Sequence, residues 1–183
     1  MRDLRDLTPP ELLVMHAAVS EELRRRGVIR SSNNPVGDLA EHLFCRAFGW
    51  KQAPNSMRDA DATDAAEVRY QIKGRRLTSH NNSRQLGALR DLPAQAFDVL
   101  AAVLFQEDYR VLRAALIPHV RVVDLAKRVE RTNSWRFLLR DAIWSVPGVR
   151  DVTADLQRAE ASWALALTEG PKASNSRSIT DQE

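Results

Sequence analysis

Cysteine is almost absent from this chain of 183 residues: Cys45 stands alone, so no internal disulfide can form, and no Cys/His spacing resembles a zinc site. Long apolar runs are missing as well, the longest being strand-sized and well short of the roughly 18 residues a membrane span requires. The opening residues MRDLRDLTPPELL lack the short apolar core of a secretion signal. The expectation is a cytoplasmic protein with no membrane partner. A strong excess of one charge is also lacking, since 27 Lys and Arg against 24 Asp and Glu give a formal charge of +3, too little by itself to argue for a polyanionic partner. We find no internal repeat. What is present is ordinary for a folded protein, with 44% hydrophobic and 28% charged residues and a length that suits one domain with a small appendage.

The first element opens at Thr8, which forms a capping box pattern with Glu11, while Pro9 occupies a first-turn position where proline is tolerated. A helix should run to about Arg26, with Leu12, Met15, Val19 and Leu23 at helical spacing and Gly27 as its stop. Arg24 to Arg26 read best as a solvated last turn favoured by the helix dipole, phosphate contact being the alternative. After the SSNNP loop a second helix should pass through VGDLAEHLFCRAF to Gly49. On it Asp38, His42 and Arg46 share one stripe, with Val36, Leu39, Leu43 and Ala47 opposite. Glu41 falls between the polar stripe and Phe44 with Phe48, making it a partly buried acid that needs a cation or a donor. An ordinary boundary carboxylate paired with an arginine satisfies the same pattern.

The stretch from Asp59 to Arg76, DADATDAAEVRYQIKGRR, passes from acidic residues through a turn into a strand. Side chains alternate along a strand, so Val68, Tyr70 and Ile72 should face a core while Arg69, Gln71 and Lys73 face the other way. An amide, an ammonium and nearby carboxylates would then share a surface able to hold a divalent cation against a phosphate. From Lys73 to Arg90 the chain carries Lys73, Arg75, Arg76, Arg84 and Arg90 and no acid. That segment can grip a phosphate backbone, or it can be a solvated loop.

Farther on, residues 97–105 (FDVLAAVLF) and 109–118 (YRVLRAALIP) read as a hairpin whose first strand is buried on both faces. HVRVVDLAKRVE (119–130) fits a helix with Val122, Leu125, Ala126 and Val129 inward. Asn133 and Ser134 can cap a further helix, WRFLLRDAIW, whose Trp135, Leu138, Leu139, Ala142 and Ile143 form an apolar stripe before Pro147 and Gly148 break it. A last helix is expected at about 154–167, and residues 168–183 are expected to be a disordered tail. The predicted fold is α/β or α+β, a central mixed sheet of about four or five strands with helices on both faces. Residues 1–30 form an N-terminal helical extension in this reading, and 31–167 form the main domain.

Glu41 on an early helix, Asp61 about 20 residues later, and Gln71, Ile72 and Lys73 on a strand together resemble the PD-(D/E)XK nuclease superfamily. The similarity is to the subgroup in which glutamine replaces the second acid, as in Mrr-like restriction enzymes, and the matching portion covers residues 35–118. Ala60 stands where the family's proline often precedes the aspartate, and Gln71 is neutral where most members carry an acid. The resemblance implies a restriction-endonuclease-like core with an extra N-terminal helix. It also implies a metal-dependent DNA endonuclease, serving restriction or defence, that uses Mg²⁺ with Mn²⁺ as a substitute. Asp61 would bind the metal directly, with the Gln71 amide oxygen, the Ile72 carbonyl and Glu41 as further ligands and Lys73 beside the attacking water. Arg75, Arg76, Arg84 and Arg90 would bind nucleic acid, DNA or another. Double-strand cleavage implies a homodimer, and a protein partner for targeting fits the absence of an evident specificity domain. The alternative is a non-catalytic nucleic-acid-binding or regulatory module on the same fold. A Cys45/His42 hydrolase is a poor reading, because the two lie three residues apart on one helix with no orienting acid. Asp59 and Asp64 rank behind Asp61 as ligands.

Overall fold

The computed structural model describes residues 3–31, 34–54 and 60–166; Asp59 and the expected tail at 168–183 lie outside the described residues. Helix α1 (Pro9–Arg25) starts as its sequence requires, the Glu11 carboxylate accepting from the Thr8 backbone N–H at 2.8 Å and from the Thr8 hydroxyl at 2.7 Å. Helix α2 (Val36–Phe48) ends at Gly49, whose φ of +66° is a left-handed stop suited to glycine. Short strands β1 (Lys51–Gln52) and β2 (Ala62–Thr63) lead into β3 (Arg69–Arg76), and β4 (Val99–Phe105) turns directly into β5 (Val111–Pro118). Next come α3 (His119–Leu125), a hairpin of β6 (Lys127–Val129) and β7 (Ser134–Arg136), then β8 (Arg150–Asp151) and α4 (Thr153–Ala166).

Six strands form one mixed sheet in the order β1-β2-β3-β4-β5-β8, in which only β3 and β4 run parallel. The central mixed sheet with helices on both faces is therefore present, the six strands exceeding the expected four or five because β1, β2 and β8 are two-residue pieces at the edges. Helices α2 and α4 cover one face through Leu39, Leu43, Phe44 and Leu156 against Tyr70, Ile72, Ala101, Val103, Phe105 and Leu116. The other face of β4 and β5, carrying Leu100, Ala102, Leu104 and Ile117, is buried by Leu86, Leu89, Leu92, Val122, Phe137 and Leu139. Burial on both faces is why β4 reads as an unbroken apolar run. Gly74 sets the height of α2 over the sheet, since a Cβ there would meet the Val36 carbonyl oxygen at 2.9 Å and the Ala40 Cβ at 3.0 Å.

Three expectations are corrected. Helix α3 stops at Leu125 instead of continuing to Glu130, because residues 127–129 pair with 134–136; only Val122 of its expected inward set is buried, Leu125 being exposed. The segment from Trp135 is not a helix. It runs extended beside residues 84–89, with Trp135 and Leu89 exchanging backbone hydrogen bonds at 2.8 and 3.0 Å and Leu86 N–H donating to Phe137 O at 3.0 Å. Asn133 takes φ +42° to close the hairpin, and the chain then makes a 3₁₀ turn at Asp141–Ser145. Finally, α1 contributes no buried residue: Leu12, Met15 and Val19 are exposed, and Leu23 is the member of the stripe that packs against the core. Val19 and Leu23 border a groove of about 680 Å³ shared with Ile29, Leu39, Leu43 and Tyr109.

Candidate functional site

The site lies where β3 runs on past its two described pairs with β2. Ala62 pairs with Tyr70 and Thr63 with Arg69, and Asp61 enters just before that ladder. Backbone groups of even-numbered β3 residues point toward β2, as the bond from Asp61 N–H to Tyr70 O at 2.8 Å shows, while Arg69 O points to β4 and accepts from Asp98 N–H. Ile72 therefore presents its N–H and C=O on the Asp61 side, beyond the last described β2 pair. The Asp61 carboxylate serves there in place of a backbone carbonyl: its Oδ2 accepts from Ile72 N–H at 2.6 Å and from the Gln71 side-chain amide, and Lys73 Nζ stands 3.9 Å away. The alternation read from the sequence holds, with Tyr70 and Ile72 buried in the α2 core and Gln71 and Lys73 half-exposed on the opposite face. Gly87 of the crossover between β3 and β4 lies against the Lys73 stem, its Cβ position 3.7 Å from Lys73 Cδ.

Glu41 approaches from the α2 side. Its carboxylate pairs with Arg30 and accepts from Gln52 Nε2 at 2.9 Å. Burial raises the Glu41 pKa above the usual carboxylate value and the charge of Asp61 raises it further, while the Gln52 and Arg30 contacts pull the other way. The two carboxylates thus sense one another across the edge of the sheet. Arg30 is itself fixed, its backbone N–H donating to Asp38 Oδ2 at 2.8 Å and its Nη1 to the Ala53 carbonyl at 3.0 Å. Burial pushes the Asp38 carboxyl up, but donors from Arg30 and Ser31 hold it below its ordinary value. Neither Arg30 nor Gln52 was legible as a site residue. Arg30 gets there because the turn after α1 folds back onto Asp38, a tertiary event with no local pattern.

A scan against protein-family models and a search of curated proteins found no match. The chemistry of the site must therefore be read from its donors. Among the described residues there is no group of three His, Cys, Asp or Glu side chains able to hold a metal. The available set is two carboxylates, the Gln71 amide and the Ile72 carbonyl, all oxygen donors once the Gln71 amide turns about its last bond to exchange its nitrogen for its oxygen. Magnesium favours oxygen ligands, keeps several waters and is usually held by one or two carboxylates, so this set suits it.

Other candidates are placed elsewhere. Asp64 is committed to the turn before β3, accepting from the backbone N–H groups of Ala66 and Val68 and from the Tyr70 hydroxyl at 2.8 Å. That hydroxyl lowers the Asp64 pKa, and burial together with Asp64 pushes Tyr70 up to about 12. Arg75 shares the face of Lys73 and donates to Ser83 O at 3.0 Å. Arg76 lies on the other face over the Tyr109 ring, Arg84 pairs with Asp141 at 2.7 Å, and Arg90 is exposed. The four arginines do not form one cluster around Lys73. Burial, then the Glu41 charge, pushes the Cys45 thiol up to about 11, which leaves it protonated and a poor nucleophile.

Proposed function

We propose that this protein is a Mg²⁺-dependent phosphodiesterase acting on DNA, similar in its site to PD-(D/E)XK nucleases of the Q-x-K form. One observation carries the reading: the Asp61 carboxylate is anchored on Gln71 and Ile72 of β3 and stands 3.9 Å from Lys73, with Glu41 coupled to it from α2. A bound Mg²⁺, or Mn²⁺ in its place, supplies a Lewis acid that acidifies water and neutralises phosphate charge. Asp61 and Glu41 would hold it, with the Gln71 amide oxygen and the Ile72 carbonyl as neutral ligands. Lys73 would donate to a phosphate oxygen or orient the attacking water, an ammonium placed where negative charge grows. Arg30 and Gln52 keep the Glu41 carboxylate oriented toward that edge. A homodimer would bring two such sites to the two strands of a duplex.

The test incubates supercoiled and linear DNA with the protein in Mg²⁺, Mn²⁺ or chelator, beside Asp61→Asn and Lys73→Ala. Metal-dependent nicking by the wild type, reduced about 10²-fold or more in each variant, is the expected result. DNA binding without cleavage in either metal would replace the enzyme with a binding module.

A further inference from the structure

The β6–β7 hairpin and the segment that follows it form a cationic surface that the proposed nuclease site does not use. Residues 127–140 carry Lys127, Arg128, Arg131, Arg136 and Arg140 against one acid, Glu130. All five cations are exposed. Several arginines elsewhere pair with carboxylates, as Arg69 with Asp98, Arg84 and Arg113 with Asp141, and Arg121 with Asp124. None of the hairpin cations has a carboxylate partner among the described residues. Lys127 and Arg136 are direct cross-strand partners, and like charges so opposed destabilise a hairpin. An external anion would relieve that repulsion.

The hairpin is tied to the Lys73 site. Trp135 of β7 exchanges backbone hydrogen bonds with Leu89, Leu139 N–H donates to Arg84 O at 3.0 Å, and Gly87, between those two anchors, rests on the Lys73 stem. Arg90, exposed next to Leu89, adds a cation on the path between them. The geometry points to the β6–β7 hairpin as the docking surface for the phosphate backbone of a nucleic acid whose neighbouring segment reaches Lys73. Nucleic acid is favoured over an anionic lipid surface because four of the five hairpin cations are arginines, whose forks match phosphate oxygens. Within the hairpin itself the large apolar side chain, Trp135, is half-buried beneath Arg128, the exposed Val120, Val123 and Leu125 lying before it on α3. The inference rests on the proposed nuclease site for the choice of partner, and the experiment separates the two.

Anisotropy of a labelled duplex is followed through a salt titration in chelator, where no cleavage occurs, for wild type, Lys73→Ala, Glu130→Gln and the combined variant Lys127→Gln/Arg131→Gln/Arg136→Gln. Removing three phosphate contacts should lower the slope of log K against log salt by roughly 2 to 3 and weaken binding at least about 10-fold. Glu130→Gln should tighten binding, and Lys73→Ala should change the slope by about one or less. A combined variant with the wild-type slope overturns the proposal, as does wild type that binds phosphatidylserine vesicles but not the duplex. Hairpin-dependent binding without metal-dependent cleavage would uphold the docking surface and sink the nuclease reading alone.

Discussion

Glu41 is held by two opposing influences, and their balance can be measured. Its folded pKa is raised, so its protonated form is the better fitted one: that contribution to stability is complete below its ordinary value of 4.5 and is lost as pH rises through the folded pKa. At pH 7 the ionised carboxylate therefore opposes folding, and Glu41→Gln should leave stability unchanged or raise it while abolishing the metal-dependent cleavage proposed above. Urea denaturation at pH 7 and pH 4 checks this; a loss above about 1 kcal/mol at pH 7 would mean that the Arg30 pair outweighs burial. Asp61 behaves differently because it serves in place of a backbone carbonyl. Asp61→Ala strands the Ile72 N–H and should cost about 1–3 kcal/mol, whereas Asp61→Asn retains an oxygen acceptor and should fold nearly as well with activity lost. Equal stabilities for these two variants would remove the capping role. The shared face of Gln71 and Lys73 was legible because alternation along a strand is a strict two-residue period, whereas Asp61 was singled out by the resemblance.

At the scale of elements, the proposed site and the packing meet where α2 crosses β3. Gly74→Ala would drive a Cβ into Val36 O and Ala40, so α2 must lift, and Glu41 follows Ala40 in the chain. The expected cost is about 1–3 kcal/mol together with a fall in cleavage larger than the stability loss explains, read from denaturation and turnover on one preparation. Unaltered activity in a destabilised protein would show that α2 carries Glu41 without strict positioning. The helices and strands with a single strong pattern were all readable: the capping box of α1, the Gly49 stop of α2, and the β4–β5 hairpin. The segment from Trp135 was not, because its residues satisfy two periods at once. Trp135, Phe137 and Leu139 alternate as in a strand, while Trp135, Leu138, Leu139 and Ala142 repeat as in a helix. Hydrogen bonds to residues 84–89 decide for the strand, and that pairing partner is about 50 residues away in the chain. The cationic hairpin was hidden for the same reason, Lys127 and Arg128 having been assigned to one expected helix and Arg136 and Arg140 to the next.

The whole molecule hangs on one sheet with a core on each face, so its acid stability reports on the carboxylates that tie the layers together. Asp98 joins the start of β4 to Arg69 of β3 at 2.9 Å and presents its backbone carbonyl to His119 of α3. The Arg69 guanidinium holds the Asp98 pKa below 3.8, and the Tyr70 hydroxyl does the same for Asp64. Groups lowered in this way give stability that is present above 3.8 and lost as pH falls through their folded values. Glu41 and Glu160, raised chiefly by burial, act in the opposite sense above 4.5. His42 offsets them, since burial and then Arg46 lower its pKa from 6.5, and the neutral ring's contribution fades on acidification below that value. Stability should therefore fall steeply below about 3.8. Asp98→Asn should flatten that acid limb and leave the upper range unaltered, as read from urea midpoints between pH 7 and pH 2.5. A steep loss that begins above pH 5, or an acid limb unchanged in Asp98→Asn, would show that the sheet is held at low pH by contacts other than the Arg69–Asp98 tie.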